Sequence, residues 1–311
     1  MMRKIWAGII LGVVVLSLVM AAVFGGRGGG GVNYYGTARG AGIGLVHIEG
    51  VITGGRSGNL FQAVASVEEI LNQLRRAEED PDIKAVVLRL NSPGGTSAAS
   101  QEIGAAVARL RKSGKPVVAS MSDVAASGAY WIASQANVIV ANPASVTGSI
   151  GVIIPTQNYA GLYDKIGIET ENIKSGPFKD MGTPSRPLTP EERAIFQNMV
   201  DDMYDQFVSV VAKGRHMDED RVRELADGRV YSGRQARDLG LVDELGGLRE
   251  AVRLAADMAD IKGEPRIIPL EERTYWQGIF SGFSSSFNPG SAPGAWLIMD
   301  PAYIPGSRSN W

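Results

Sequence analysis

Residues Val124-Ala125-Ala126-Ser127-Gly128-Ala129-Tyr130 set one hydroxyl among small neighbours. They follow the apolar, β-type run 116–121 and lead into a helix-compatible run that begins at Tyr130. A serine at such a strand-to-helix turn has its hydroxyl beside backbone N–H groups and the positive end of a helix dipole, which is a good seat for a nucleophile. The same residues equally suit a helix cap, with Ala126 and Gly128 small because helix and sheet pack closely. The choice depends on whether the chain supplies a base.

The chain has no cysteine and two histidines, so thiol catalysis, disulfides and thiolate metal sites are excluded. His47 lies in an apolar, strand-like run and His216 in the polar segment Lys213-Gly214-Arg215-His216-Met217-Asp218, and neither is in a setting for a triad base. Lysine remains. A lysine titrates near ~10.4 in water, so it accepts a proton at neutral pH only if burial lowers that value by several units. The segment Lys174-Ser175-Gly176-Pro177-Phe178-Lys179-Asp180 offers two candidates. Phe178 could help to desolvate Lys179, Lys174 is its rival, and a solvated surface charge is the plain alternative for both.

Two further loops have unusual composition and, like the Ser127 stretch, follow predicted strands: Asn91-Ser92-Pro93-Gly94-Gly95-Thr96 and Thr147-Gly148-Ser149-Ile150-Gly151. In open α/β sheets, sites gather beyond the carboxyl ends of strands. The Pro-Gly-Gly turn can present the Gly94 N–H with no side chain in the way, or it can be a turn without a duty.

The elements that must position these loops alternate. Strands are predicted over 44–52, 83–90, 116–121, 138–141 and 169–174, and helices over 60–79, 98–112, 126–134 and 159–166. The set Thr189-Pro190-Glu191-Glu192 is a capping box with proline at the first helical position, opening a long helix to about residue 213. Shorter helices follow over 218–226 and 233–239, and a last long one over 245–258. Strands separated by helices imply parallel pairing through crossovers, hence a layered α/β fold.

The 311 residues are 44% hydrophobic and 21% charged, enough for a full core, and the net charge of −2 gives no reason to expect nucleic acid as a partner. Residues 5–24 form an uncharged run of bilayer-spanning length behind Arg3 and Lys4, which predicts an N-terminal transmembrane anchor with its N-terminus cytoplasmic. A cleaved signal peptide has a shorter apolar region, ~7 to 15 residues, so the longer run here favours an uncleaved anchor over 1–24. The expected organisation is completed by a glycine-rich linker over 25–41, a catalytic domain over 42–270 and a Gly/Ser/Pro-rich tail over 271–311.

Taken together, Asn91-Ser92-Pro93-Gly94-Gly95, Ala125-Ala126-Ser127-Gly128-Ala129-Tyr130, Val146-Thr147-Gly148-Ser149-Ile150-Gly151-Val152, Ile173-Lys174-Ser175-Gly176 and Phe178-Lys179-Asp180 resemble the signal peptide peptidase A family. The downstream stretches 227–236 and 241–246 resemble it too, so the likeness runs in order from about 44 to 256. It implies a crotonase-like fold shared with the Clp protease and a membrane-anchored serine endopeptidase working through a serine-lysine dyad without cofactor or metal. Ser127 falls on the nucleophile, Lys179 on the general base, Ser149 on a serine that holds the lysine amine, and Gly94 and Gly128 on the oxyanion-hole donors. The implied substrates are hydrophobic peptides such as signal-peptide remnants. The implied assembly is a homo-oligomer on the outer face of the cell membrane, in which neighbouring subunits help to build each site. The competing readings are a crotonase-type acyl-CoA enzyme and a catalytically silent membrane scaffold.

Overall fold

The computed structural model describes residues 41–55, 64–271 and 296–298. The expected anchor, all but the last residue of the linker and most of the tail lie outside the described residues. Among the described residues, no helix is long and apolar enough to cross a membrane.

The main sheet is built from β1 (Gly42–Glu49), β4 (Ile83–Ser92), β6 (Val117–Ala126), β7 (Val138–Ala141), β10 (Glu244–Leu245) and β11 (Arg266–Pro269), in the order β10-β7-β6-β4-β1-β11. Every pair along that path is parallel. Side chains alternate between two cores, as the period of two along a strand requires. Val86, Leu88 and Leu90 of β4 join the larger core, while Ala85 and Val87 point to the smaller one. Burial on both faces explains why β4 carries the continuous apolar run Ala85-Val86-Val87-Leu88 in place of strict alternation.

Three crossover helices cover the larger core: α1 (Val67–Glu79), α2 (Ser97–Lys112) and α3 (Gly128–Ala133). Next in the chain are α4 (Ala160–Ile166), α5 (Pro190–Arg215), α6 (Glu219–Leu225), α7 (Gly233–Asp238) and α8 (Leu248–Met258). The last of these closes the smaller core with Ala251, Val252, Ala255 and Ala256. The mixed α/β fold with parallel strands and crossover helices is therefore present.

Two features re-aim the chain near the carboxyl ends of the strands. The ten-residue strand β6 pairs with β7 over its first half and with β8 (Val146–Gly148) over Val124–Ala126, and β8 in turn pairs antiparallel with β9 (Val230–Ser232). A second, four-stranded sheet forms from β2 (Val51–Thr53), β3 (Val64–Ser66), β5 (Gly94–Thr96) and β12 (Trp296–Ile298), in the order β12-β5-β2-β3.

Some expected boundaries shift. The predicted strand over 44–52 is broken at Gly50, whose φ of 81° turns the chain between β1 and β2. The helix expected over 60–79 begins only at Val67, because 64–66 pairs with β2 instead. The strand expected over 169–174 is absent. That stretch is irregular, finds no neighbouring strand, and leaves Ile173 98% exposed.

Candidate active site

Strand β6 ends at Ala126 and α3 starts at Gly128, so Ser127 is the turn itself. Its backbone has φ 55° and ψ −120°, a left-handed φ that a residue with a Cβ adopts only under strain. Two hydrogen bonds hold it there: the Ser127 N–H donates to the Gly148 carbonyl at 2.8 Å, and the Trp131 N–H donates to the Ser127 carbonyl at 2.9 Å. The side chain makes no capping hydrogen bond. Its hydroxyl is buried without any hydrogen-bond partner, and the residue is 1% exposed. A cap serine would bond an N–H of the first turn, so the cap explanation leaves this hydroxyl unexplained.

Ser149 stands on the next strand end. Parallel pairing sets Ala126 opposite Gly148, so Ser127 and Ser149 each follow a paired residue at the carboxyl ends of neighbouring strands. Ser149 also has a left-handed φ, 50°, and its N–H donates to the Arg229 carbonyl at 2.8 Å.

The glycines answer two different constraints, a positive φ at Gly94 and close approach at Gly95 and Gly128. Gly94 has φ 106°, and its N–H donates to the Ser92 hydroxyl at 3.1 Å. The most crowded glycine is Gly95, where a Cβ would come within 1.8 Å of the Ile52 carbonyl oxygen. At Gly128 a Cβ would meet the Ser100 hydroxyl at 2.2 Å, with the Gly95 nitrogen 3.2 Å away. The Ser127 turn and the Gly94-Gly95 strand therefore lie close against each other at Gly128 and Gly95.

The two lysines separate clearly. Lys174 donates to Asp180 Oδ1 at 2.6 Å and to the Pro177 carbonyl at 3.2 Å, so its amine is committed to an ion pair. Lys179 sits in a tight turn, its N–H donating to the Gly176 carbonyl at 3.3 Å, and its side chain is exposed. Since the Ser127 hydroxyl has no partner, it makes no hydrogen bond to Lys179. Ser127, Ser149, Gly94 and Gly128 gather at one set of strand ends, while Lys179 is carried on a separate, solvent-facing segment.

Residues 109–262, which include Ser127, Ser149 and Lys179, match peptidase family S49. Similar proteins include a Synechocystis protein provisionally named a protease, 41% identical over 219 residues that make up 70% of this chain and 75% of the relative. The chain belongs to peptidase family S49. Another similar protein, from Enterococcus faecium, provisionally named signal peptide peptidase SppA, is 42% identical over 66% of this chain and 60% of its own length. The chloroplastic serine protease SPPA of Arabidopsis thaliana is 39% identical over 70% of this chain but only 33% of its own length.

In this S49 peptidase one group of residues escaped the sequence reading. Asp180, next to Lys179, accepts from Lys174, from Arg186 Nη2 at 2.9 Å and from Asn172 at 3.4 Å. These hydrogen bonds, Lys174 first and Arg186 second, hold its carboxyl well below the usual carboxylate range. Arg186 also reaches Glu192, at 2.6 and 2.9 Å, while Glu192 takes the Thr189 N–H at 3.0 Å in the capping box of α5. The Arg186 contacts and then the Thr189 N–H push Glu192 down to about 2. The capping box was visible in the sequence, but its second use as an anchor for Arg186 was not.

Proposed function

We propose that the chain is a membrane-anchored serine endopeptidase in which Ser127 is the nucleophile and Lys179 the general base, with the lysine delivered by a second copy of the chain. The observation that carries this reading is the Ser127 hydroxyl, buried and unpartnered at a strained turn. Strain and an unsatisfied polar group together work against stability, and they persist at places where function needs them.

Delivery from a neighbour follows from exposure and distance. An amine loses its proton near neutral pH only when it is taken out of water, and Lys179 is exposed in the single chain. The segment around it is apolar and uncovered: Ile153, Leu162, Ile166, Ile173 and Phe178 are 47% exposed or more. Large apolar side chains left in water in this number along one stretch of chain favour an interface. Helix α5 also separates the parts. Its N-terminal Glu192, bonded to the Lys179 segment through Arg186, lies 15 residues (207 − 192) before Phe207, which stacks on Trp131 of the nucleophile helix. At the rise of an α-helix this is about 22 Å.

The chemistry then runs as follows. The neutral Lys179 amine takes the Ser127 proton, and Oγ bonds to the peptide carbonyl carbon. Backbone N–H groups at Gly128 and the Gly94-Gly95 strand carry the developing oxyanion, each such donor being worth ~10² to 10³ in rate. The C–N bond breaks as the ammonium returns its proton to the leaving amine, and water hydrolyses the ester with the amine as base again. Ser149, beside the nucleophile, orients the incoming amine.

Peptide substrates suit the side of β5 away from β2, which an extended segment of this chain occupies in the structure. Strand β5 already accepts an extended segment antiparallel to it, with Trp296 opposite Thr96, Leu297 opposite Gly95 and Ile298 opposite Gly94. A peptide bound by the same strand addition runs past Ser127 with its backbone amides paired, which suits apolar, extended substrates such as signal-peptide remnants. The uncharged run over 5–24 behind Arg3 and Lys4 supports an anchor over 1–24 and a linker over 25–41, and with them a protease of the outer face of the membrane. Hydrolysis of an apolar fluorogenic peptide, measured for the full chain, Ser127→Ala and Lys179→Ala across pH, tests the dyad. Loss in both variants supports it, and survival in either one removes that residue from its role.

A further inference from the structure

We propose that Arg186 is a positioning residue for the base: it ties the Lys179 segment to the N-terminus of α5, the same helix that is seated on the nucleophile helix α3. This rests on Lys179 being the base.

The tie is continuous on both sides. Toward Lys179, Arg186 Nη2 donates to Asp180 Oδ1 at 2.9 Å, and Asp180 is only 12% exposed at its side chain. Toward α5, Arg186 donates through two nitrogens to the two oxygens of Glu192, whose side chain is 2% exposed. A bidentate guanidinium–carboxylate pair fixes direction as well as distance, which a lysine cannot do. Glu192 is held in turn by the Thr189 N–H, while Thr189 Oγ1 accepts the Glu192 N–H at 3.2 Å. At its other end α5 is rigidly seated. The Phe207 ring lies 5.0 Å from the Trp131 ring, and Gly214 approaches so closely that a Cβ there would be 2.0 Å from the Ser134 carbonyl oxygen. Trp131 and Ser134 belong to, or directly follow, the six-residue helix that starts next to Ser127.

The charges of the tie alternate, Lys174, Asp180, Arg186 and Glu192, so the segment is held without net charge beside an amine that must become neutral. Lys174 and Arg186 both donate to Asp180 Oδ1, so the carboxylate next to Lys179 is already paired on that oxygen and the turn is braced from two sides.

The test compares Arg186→Ala, Arg186→Lys and Asp180→Asn with the parent as full-length chains, reading kcat, KM, the pH profile of kcat/KM and assembly size. Arg186→Ala is expected to lower kcat by roughly 10-fold to 100-fold with little change in KM. Its acidic limb moves to higher pH, because a loosely held amine is less completely desolvated. Arg186→Lys recovers part of the loss. Asp180→Asn leaves the Arg186–Glu192 pair and the cap in place, so it decides the matter if Arg186→Ala does not fold: it is expected to lower kcat as well, while its acidic limb moves the opposite way, to lower pH, because losing the carboxylate leaves the segment with a net positive charge. Variants that assemble like the parent and keep its kcat and pH profile, while Lys179→Ala is inactive, overturn this inference alone. Activity retained in Lys179→Ala overturns the base assignment and the inference with it.

Discussion

Ser127 and Ser149 stand next to each other at the carboxyl ends of parallel strands, linked by the Ser127 N–H donating to Gly148, and both have a left-handed φ. Two adjacent non-glycine residues in that region store strain of about 1–3 kcal/mol each, held by the surrounding sheet and helix. For the proposed nucleophile this means that the backbone carrying the Ser127 hydroxyl is already in place before substrate arrives.

Replacing Ser127, the proposed nucleophile, is therefore expected to stabilise the fold while abolishing hydrolysis. Ser127→Gly relieves the φ strain and removes the orphaned hydroxyl, for a net gain of about 1 kcal/mol after the extra entropy glycine loses on folding. Ser127→Ala removes only the hydroxyl and gains less. Thermal melting of both variants beside the parent measures the order, and a loss of stability in Ser127→Gly would argue against a strained turn.

Gly95→Ala is expected to be among the most damaging small substitutions, because its Cβ falls 1.8 Å from a backbone oxygen that cannot move without breaking β2 from β5. A cost of about 3 kcal/mol or more, with lost activity, is expected. Gly55→Ala, with nothing within 4 Å, is the control and leaves both unchanged.

The α5 anchor predicts a specific pH dependence. Glu192 is held down to about 2 in the fold, below the ~4.3 of a free glutamate, so its contribution is fully present above about pH 5. It is lost as pH falls toward 2, when the carboxylate takes up a proton. The stability gap between the parent and Glu192→Gln, followed by denaturant titration, should be constant near neutrality and close in that acidic window.

The arm that bears Lys179, the proposed base, predicts an assembly. Ile173 is 98% exposed and cannot contribute to the core of its own chain. Ile173→Asp should leave the melting of the isolated fold intact, reduce the assembled mass seen by light scattering, and lower activity in parallel. Unchanged mass and activity would remove this segment from any interface.

What could be read from the chain itself depended on how local each signal was. The capping box at Thr189 and the turn at Ser127 were legible because their determinants lie within four or five residues. The run over 169–174 was expected as a strand from its residue types, yet it has no strand to pair with in one chain. Strands β8 and β9 were missed because three residues carry no periodicity, and only their pairing with β6 and with each other defines them. Phe178 and the resemblance favoured Lys179 over Lys174 on sequence; the ion pair that commits Lys174 was not legible, because Asp180 and Arg186 are brought together only by the loop before α5.

The central claim is that Ser127 of one copy works with Lys179 of another. Ser127→Ala and Lys179→Ala chains, each inactive alone, should be co-expressed and the purified mixed assembly assayed with an apolar peptide. If the dyad forms between copies, random mixing rebuilds sites that hold both native residues, and activity returns to about a quarter of the parent. A mixed assembly as inactive as either variant alone would contradict a dyad shared between subunits.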